Sequence, residues 1–550
     1  MDDAASDSTG FLLTRHWRDT PAGCEVEFWL ATDAGPRCVR IPVQTPVAFI
    51  PEPQRGTVEQ LLQDERGWEL RPLDLLDFQH RPVAGLYCRK YRQLMQIERR
   101  LRQHGLDVFE ADVRPPERYL MERFITAPVV FAGQPVEGNP HLLVEGVMKP
   151  APGYRPTIRT VSLDIETTFQ GELRSIALEG CGQRQVYMLG PPNGIDGPRD
   201  YDLAYCATRR ELLDRMEAWF VQHDPDAIIG WNVIQFDMRV LQRHAEGMKR
   251  PLRLGRDGSA IEWREAGGKG GGNRGGQEHY FICIAGRLVI DGIDALHSAT
   301  WTFPSFSLEN VSRTLLGVGK AIDNPHDRMA EIDRMFNEDK PALAYYNVMD
   351  CELVTRIFDK TRLLDFLLER ASVTGLAADR SGGSVAAFEH LYMPLLHRQG
   401  RVAPNIGDVE GADSPGGFVM DSRSGLYDSV LVLDYKSLYP SIIRTFLIDP
   451  LGLIEGLREP EETTVPGYRG GRFSRTRHCL PNIVTQVWAG REAAKKVRNA
   501  PLSQALKIIM NAFYGVLGTT GCRFFDPRLA SSITMRGHDI MHRTRVLIEE

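Results

Sequence analysis

The chain has 550 residues, enough for roughly three or four domains with cores of their own. Its hydrophobic fraction of 42% and charged fraction of 25% are those of an ordinary globular protein. The formal net charge of -6 argues against a uniformly basic nucleic-acid binder, although residues 472–523 carry nine Lys or Arg and one acid, a local excess of +8.

The cysteines and the apolar runs exclude several further classes of protein. Nine cysteines are scattered without a C-x-x-C pair, which argues against a zinc or iron–sulfur site and fits reduced thiols. The acidic, polar start MDDAASDSTG is unlike a signal peptide, and no apolar run approaches the length of a membrane span. We therefore expect a soluble cytoplasmic protein with no membrane partner.

Residues 1–150 predict a β-rich domain. Short runs such as 25–31 and 39–43 alternate apolar and polar residues, and Pro and Gly punctuate them. Residues 91–104 are the exception, because their apolar spacing predicts an amphipathic helix that ends at Gly105. We find no catalytic cluster here, and we interpret the region as a platform for DNA or for the next domain.

A pair of carboxylates marks the next segment, residues 160–168 with the sequence TVSLDIETT. Asp164 and Glu166 are two apart, so on a strand they face the same side. At about 7 Å the two charges repel by roughly 2–3 kcal/mol at an effective dielectric near 20. A cation would relieve this repulsion, so the pair is a candidate metal site, although surface strands also carry such pairs.

Two further acids strengthen the metal prediction. Residues 228–231 predict a buried strand, and residues 232–237 predict the start of a helix that carries Asp237. A long helical pattern over residues 341–370 places Tyr346 and Asp350 on one face. Four acids and a tyrosine are the groups that a two-metal phosphodiesterase needs. The alternative is an unrelated strand pair, a helix cap and an exposed helix aspartate.

A glycine-rich run, AGGKGGGNRGGQ, covers residues 266–277. Gly270, Gly272 and Gly275 satisfy G-x-G-x-x-G, but no apolar strand precedes them and no helical pattern follows. The dinucleotide-binding interpretation therefore fails, and we predict a flexible, solvated hairpin loop.

Gly382 and Gly383 mark a boundary before an amphipathic helix over residues 384–397, and SPGGFVM at 414–420 predicts a turn followed by a strand. Residues 430–433, VLVL, then predict a short buried strand that ends at Asp434. Residues 435–441 turn into a helix, with Pro440 acceptable in its first turn. A carboxylate fixed at a strand end is a good hard-cation ligand, although it could also cap the helix.

The basic stretch splits into two predicted helices, over residues 487–498 and 502–516. Residues that could hold a triphosphate recur at three-to-four spacing on them: Arg491 and Lys495 on the first, and Lys507, Asn511 and either Tyr514 or Gly515 on the second. An ordinary amphipathic hairpin with solvated lysines is the alternative.

These motifs together resemble the family B DNA polymerases, most closely the bacterial polymerase II type, over residues 119–541. The matching motifs are D-x-x-S-L-Y-P at 434–440, D-I-E at 164–166, N-x-x-x-F-D at 232–237, Y-x-x-x-D at 346–350 and K-x-x-x-N-x-x-Y-G at 507–515. Residues 414–420 resemble the family's linker between its exonuclease and polymerase parts.

The resemblance implies an α/β multidomain fold. It comprises a β-rich N-terminal domain (1–150), an RNase H-like 3′–5′ exonuclease domain (151–370), the first part of a palm (371–460), helical fingers (461–525) and a return to the palm (526–550). The implied activity is DNA-directed DNA synthesis with 3′–5′ proofreading, in replication or repair.

The same resemblance implies the functional residues. The implied catalytic residues are Asp164, Glu166, Asp237, Tyr346, Asp350 and Asp434, and the five acids among them are the metal ligands. The implied nucleotide-binding residues are Ser437, Leu438, Tyr439, Arg491, Lys495, Lys507, Asn511 and Tyr514. The cofactor is Mg²⁺ at two-metal sites, with Mn²⁺ as a substitute. The partners are primer–template DNA, deoxynucleoside triphosphates and a sliding clamp, in the nucleoid of a bacterial cytoplasm.

The sequence departs from the family in one respect. No D-T-D occurs, so the second palm motif Y-G-D-T-D-S is absent, and so is a thumb. We expect an N-terminal fragment that is competent only for the exonuclease reaction, because one palm carboxylate cannot hold two metals. The alternatives are a stand-alone 3′–5′ exonuclease and a DNA-binding subunit of a split polymerase.

Overall fold

The computed structural model describes residues 8–194, 197–265, 279–319, 328–409, 416–419 and 424–549. The predicted glycine-rich hairpin loop at 266–277 lies outside these ranges, as do residues 414, 415 and 420 of the predicted linker motif. No helix in the described ranges is long and apolar enough to cross a bilayer.

The β-rich prediction for the first 150 residues is confirmed. Five strands close a small barrel in the order β1-β2-β3-β8-β7, and three others form a sheet in the order β4-β6-β5. Helix α2 lies where the sequence predicts a helix, and its residues Leu94, Ile97 and Leu101 are buried against that sheet. The elements are β1 (Ser8–Asp19), β2 (Cys24–Ala31), β3 (Arg37–Gln44), β4 (Val47–Pro51), α1 (Arg55–Leu61), β5 (Trp68–Leu76), β6 (Pro82–Cys88), α2 (Tyr91–Gln103), α3 (Pro115–Glu122), β7 (Pro128–Val136) and β8 (Asn139–Pro150).

A mixed six-stranded sheet follows, in the order β12-β11-β10-β9-β13-β16. Its central strand β9 runs antiparallel to β10 and parallel to β13, and helices cover both faces. Strands β14 and β15 pair separately as an antiparallel hairpin on either side of the glycine-rich run. The elements are β9 (Thr160–Thr167), β10 (Leu173–Gly180), β11 (Gln183–Leu189), β12 (Asp202–Cys206), α4 (Arg209–His223), β13 (Ala227–Gly230), α5 (Asp237–Gly247), β14 (Glu262–Glu265), β15 (Tyr280–Cys283), β16 (Leu288–Asp291), α6 (Gly292–Ser298), α7 (Leu308–Leu316) and α8 (Arg328–Glu338).

The single helix predicted over residues 341–370 is wrong, because the chain forms two helices there. They are α9 (Lys340–Thr361) and α10 (Leu363–Thr374), and Arg362 between them has a left-handed φ of 52°. The side chain of Arg362 pairs with Asp365 at the start of α10. Apolar spacing continues across this break, and therefore the pattern alone did not reveal it.

The last third of the chain is helical. Helices α12 and α14 to α16 pack around one apolar cluster with α11, and Ile443, Phe513 and Ile533 are buried within it. The elements are α11 (Ser384–Arg398), α12 (Leu438–Thr445), α13 (Pro450–Gly456), β17 (Val465–Pro466), β18 (Arg472–Phe473), α14 (Leu480–Lys496), α15 (Ala500–Leu517) and α16 (Pro527–Glu549).

The buried strand predicted over residues 430–433 is wrong in this structure. Val430, Leu431, Val432 and Leu433 lie in a segment without helix or strand structure, and Val432 is 88% exposed. A strand is stable only when a neighbour satisfies its backbone groups, and no strand within the described ranges pairs with this segment.

Helix α15 joins the helical part to the rest of the molecule. Ala505 is buried in the same apolar cluster as Leu363 and Phe366 of α10, and Ile508 packs against that cluster. Gln504 Nε2 donates to Ala299 O at 2.5 Å, and Asn499 Nδ2 donates to Glu369 Oε1 at 3.1 Å.

Candidate active site

Strand β9 presents the first two predicted metal ligands. Asp164 and Glu166 lie near its C-terminal end, where they pair across the sheet with Ala177 and Ser175 of β10. Carboxylate oxygens of Asp164, Glu166 and Asp350 all lie within 4.8 Å of one another. We call these three residues the carboxylate group.

Helix α9 supplies the third member of the carboxylate group. Asp350 is 2% exposed, so the interpretation of it as an exposed helix aspartate is wrong. The same helix holds Asn347, whose Nδ2 donates to Asp164 Oδ2 at 2.6 Å and whose Oδ1 accepts from Ser175 Oγ at 2.7 Å. The sequence analysis missed Asn347 and Ser175; the signal was the position of Asn347, one helical turn before Asp350.

Asp237 lies beside the carboxylate group but is not one of the acids whose oxygens lie within 4.8 Å of one another. It is 2% exposed and begins α5, and its Oδ1 accepts from the backbone N–H of Ile165 at 3.1 Å. Burial, and then the charge of Asp164, raise the pKa of Asp237 well above its usual value. The prediction that the helix starts at residue 232 is wrong, because Asn232 has a φ of 60° and residues 231–236 form turns.

Tyr346 is buried one helical turn before Asp350. Its ring packs in an apolar cluster with Val186 and Met188, on the face of the sheet that α9 covers. Packing alone therefore accounts for a buried aromatic at this position. Its predicted role in orienting the nucleophile stays a prediction.

The carboxylate group fits a hard divalent cation. Its donors are all carboxylate oxygens, which Mg²⁺ and Mn²⁺ prefer, and the site contains no thiolate or imidazole donor. Three acids this close together repel one another, and a bound cation would relieve that repulsion.

The structure does not join Asp434 to any such group. Asp434 is exposed in the unpaired segment before α12, and no metal-holding group within the described ranges includes it. Ser437 and Leu438 are the N-cap and the first residue of α12, so their backbone N–H groups have no partner within the helix. Ser437 has a left-handed φ of 57°.

The predicted nucleotide-binding residues lie on two neighbouring helices. Lys507, Asn511 and Gly515 are exposed along α15, whereas Tyr514 is half-buried with its ring 4.5 Å from that of Tyr439 on α12. Of the two alternatives left open by the spacing, Gly515 continues the exposed row and Tyr514 faces α12.

The two predicted phosphate-binding residues on α14, Arg491 and Lys495, differ in their partners. Lys495 Nζ lies 2.9 Å from Glu492 Oε1, and Lys436 Nζ lies 3.4 Å from the same oxygen. The Arg491 side chain carries a buried Nε atom without a hydrogen-bond partner within the described residues. A ligand that accepts hydrogen bonds could pair with the free Nε of Arg491, whereas Lys495 is already paired with Glu492.

Four protein families match parts of this sequence. They are described as "DNA polymerase II, N-terminal" (residues 10–45), "DNA polymerase II, insertion domain" (46–106), "DNA polymerase family B, exonuclease domain" (192–311) and "DNA polymerase family B" (381–550). The exonuclease match includes Asp237 but not the carboxylate group.

The chain is also similar to whole proteins. It is 63% identical over 543 residues to DNA polymerase II of Escherichia coli (strain K12), covering 98% of this chain and 68% of that protein. It is 28% identical over 430 residues to a DNA polymerase delta catalytic subunit of Oryza sativa subsp. japonica, covering 73% of this chain and 37% of that protein.

A solved structure has a similar fold. The family B DNA polymerase of Pyrobaculum calidifontis superposes with a TM-score of 0.79 at 20% sequence identity, over 98% of this chain and 72% of that one.

Proposed function

This chain belongs to the family B DNA polymerases, as a member of the DNA polymerase II type with a 3′–5′ exonuclease domain, and we propose that the carboxylate group is its excision site. The observation that carries the proposal is the meeting of three carboxylates from β9 and α9 within 4.8 Å. The substrate is the 3′ end of single-stranded DNA.

The residues of the site have separable tasks. Asp164, Glu166 and Asp350 would hold divalent ions, which supply an activated water and neutralise the leaving oxygen. Asn347 fixes the orientation of the Asp164 carboxylate through a 2.6 Å hydrogen bond. Asp237 adds a fourth carboxyl group next to them, and its Oδ1 accepts a hydrogen bond from the backbone N–H of Ile165.

For the polymerase half we propose that α12, α14 and α15 bind the incoming deoxynucleoside triphosphate. The exposed row of Lys507 and Asn511 supports this role, and so does the contact between the Tyr439 and Tyr514 rings. Ser437 and Leu438 offer the free N–H groups of a helix start, which suit a phosphate. Asp434 is the proposed palm ligand for Mg²⁺.

The proposed binding residues on the two helices are Arg491, Lys495, Lys507, Asn511 and Tyr514, together with Tyr439 on α12. The proposed partners are primer–template DNA and a sliding clamp. The proposed location is the bacterial cytoplasm, in association with the nucleoid.

The excision proposal is tested by replacing Asp164 and Glu166 together with Ala. We expect Mg²⁺-dependent degradation of a 3′-labelled single strand to be lost, while DNA binding in EDTA stays within a few-fold. Glu246→Ala, an exposed carboxylate near the end of α5, is the control and should leave degradation unchanged. Wild-type degradation rates in the double variant would contradict the proposal.

A further inference from the structure

A carboxylate of α10 holds the turn of the α14–α15 hairpin. Glu369 Oε1 accepts from Asn499 Nδ2 at 3.1 Å, and Glu369 Oε2 pairs with Arg155, which lies between β8 and β9. The three residues come from well-separated parts of the sequence, so the contact joins the turn to the part of the chain that carries the carboxylate group. We call Arg155, Glu369 and Asn499 the α15 anchor.

Partial burial strengthens the α15 anchor. The side chain of Glu369 is 15% exposed and that of Arg155 is 30% exposed. The guanidinium carbon of Arg155 lies 5.5 Å from the centre of the Phe11 ring on β1, so a packed aromatic residue also restrains it. Hydrogen bonds to a charged group away from bulk water are stronger than those between neutral groups on the surface. The anchor is therefore a defined contact and not a solvated surface pair.

Asn499 uses both ends of its amide. Its Oδ1 accepts from the backbone N–H of Leu502 at 3.1 Å and so caps α15, while its Nδ2 donates to Glu369. Its backbone N–H donates to Ala494 O at 2.9 Å, in the last turn of α14. A single residue therefore joins α14, α15 and α10, and the position of the Glu369 carboxylate determines where α15 begins.

A second contact lies further along α15. Gln504 Nε2 donates to Ala299 O at 2.5 Å, just after α6. Ala505 is buried in the same apolar cluster as Leu363 and Phe366 of α10. Together with the α15 anchor, this contact fixes both the axial position and the rotation of the helix.

One rigid element connects the α15 anchor to the proposed nucleotide-binding residues. Lys507 and Asn511 follow Asn499 by eight and twelve residues, which are about 12 and 18 Å along a helix. A shift of the start of α15 therefore moves both residues, and Tyr514 with them, relative to Tyr439 on α12. A site whose groups are already in place loses less entropy when its ligand binds, so a fixed helix raises affinity.

We propose that Glu369 is a positioning residue for nucleotide binding. Through Asn499 it sets where α15 stands before a deoxynucleoside triphosphate binds, although Glu369 itself belongs neither to the carboxylate group nor to the nucleotide-binding residues. The helix that follows the excision site along the chain, α10, thus helps to determine nucleotide affinity. This inference rests on the proposed nucleotide-binding role of α12, α14 and α15.

The test exchanges the donor and the acceptor of the contact. Asn499→Asp keeps an oxygen that caps α15 but sets a second carboxylate against Glu369. We expect this variant to raise Kd for a fluorescent deoxynucleoside triphosphate about three- to tenfold, measured by equilibrium titration with Mg²⁺ present. Asn499→Asp combined with Glu369→Gln again faces a carboxylate with an amide donor, and Kd should return to within about twofold of the wild-type value.

Excision serves as the check on folding. Degradation of a 3′-labelled single strand should proceed at the wild-type rate in both variants, because the α15 anchor lies outside the carboxylate group. Asp365→Asn is the matched control for nucleotide binding, because Asp365 is an exposed carboxylate one turn before Glu369 on α10 and pairs with Arg362. Its Kd should equal that of the wild type.

The outcomes distinguish the inference from the function on which it rests. Wild-type affinity in Asn499→Asp, or no recovery in the double variant, would overturn the positioning role of Glu369 if Lys507→Met still weakens binding. Slower degradation of DNA by Asn499→Asp would show a general loss of structure and would also count against the inference. Unchanged affinity in Lys507→Met would instead overturn the nucleotide-binding role of the α14–α15 hairpin, and the inference with it.

Discussion

At the scale of single residues, Asn347 controls the geometry of the carboxylate group. Its amide joins Asp164 to Ser175, and we expect Asn347→Ala to remove the hydrogen bond that orients the Asp164 carboxylate. Excision should fall about ten- to hundredfold, with a higher Mg²⁺ concentration needed for half-maximal rate, because partners that orient a ligand change metal affinity by this amount. Asn337→Ala is the control, because Asn337 is exposed near the end of α8.

The prediction is checked by measuring excision rates across a Mg²⁺ titration. An unchanged half-maximal Mg²⁺ concentration in Asn347→Ala would contradict the orienting role, even if the maximal rate fell.

The sequence predicted the acids of the site but not the residues that hold them. Asp164 and Glu166 could be predicted because two carboxylates on one face of a strand repel each other unless a cation lies between them. Asn347 was not, because a single amide on a helix has the same appearance whether it faces solvent or a carboxylate. Tyr346 was predicted as a site residue, but its spacing from Asp350 fits equally a residue that only packs in the core.

At the scale of elements, the hairpin of α14 and α15 is the proposed triphosphate-binding unit. We expect Arg491→Met and Lys507→Met each to weaken binding of a fluorescent deoxynucleoside triphosphate about tenfold, because each removes a charge-assisted hydrogen bond. Lys495→Met should have a smaller effect, since Lys495 already pairs with Glu492. Lys496→Met, exposed on α14, is the control.

Equilibrium titration with Mg²⁺ present measures these affinities. Equal affinities in the Lys507→Met and Lys496→Met proteins would show that the exposed row of α15 does not contact the nucleotide.

Helices were predicted better than the strand at residues 430–433. The periodicity of α2, α11, α14 and α15 comes from the helix itself and its one apolar face, so a local pattern reveals it. A strand depends on a neighbour that its own residues do not specify. The four apolar residues before Asp434 satisfied the pattern of a buried strand without a partner strand in the described ranges.

At the scale of the whole molecule, a buried ion pair joins the first 120 residues to α11. Glu110 is fully buried and accepts from Arg118 Nη1 at 2.7 Å, from His397 Nε2 at 2.9 Å and from the backbone N–H of Ala403 at 2.6 Å. Burial opposes ionisation, but His397, Arg118 and the hydrogen bonds outweigh it and hold the pKa of Glu110 well below its usual range.

We expect Glu110→Gln to lower the free energy of unfolding by about 3 kcal/mol at neutral pH, because it removes the nearest counter-charge of the buried Arg118 and leaves only Glu122, at 4.0 Å. Because the pKa of Glu110 is lower in the folded protein, its charge stabilises the fold fully at pH values above 4.5, the ordinary pKa of a Glu side chain. This stabilisation is lost as the pH falls through the folded-state pKa. The difference in the free energy of unfolding between wild type and variant should therefore narrow as the pH falls below 4.5.

Urea unfolding at a series of pH values measures this difference, with the exposed Glu59→Gln as the control. A difference that stays constant down to strongly acidic pH would show that the charge of Glu110 is not what stabilises the junction.

The burial of Ala505 against α10 has a consequence for preparing the part of the chain up to α10, the excision unit, as a separate protein. The apolar faces of Leu363 and Phe366 belong to that unit by sequence, but α15, more than a hundred residues later, completes their covering. A protein shortened after α10 would present this surface to water and self-associate. A soluble excision module would need polar replacements there, or a grafted copy of the first turns of α15.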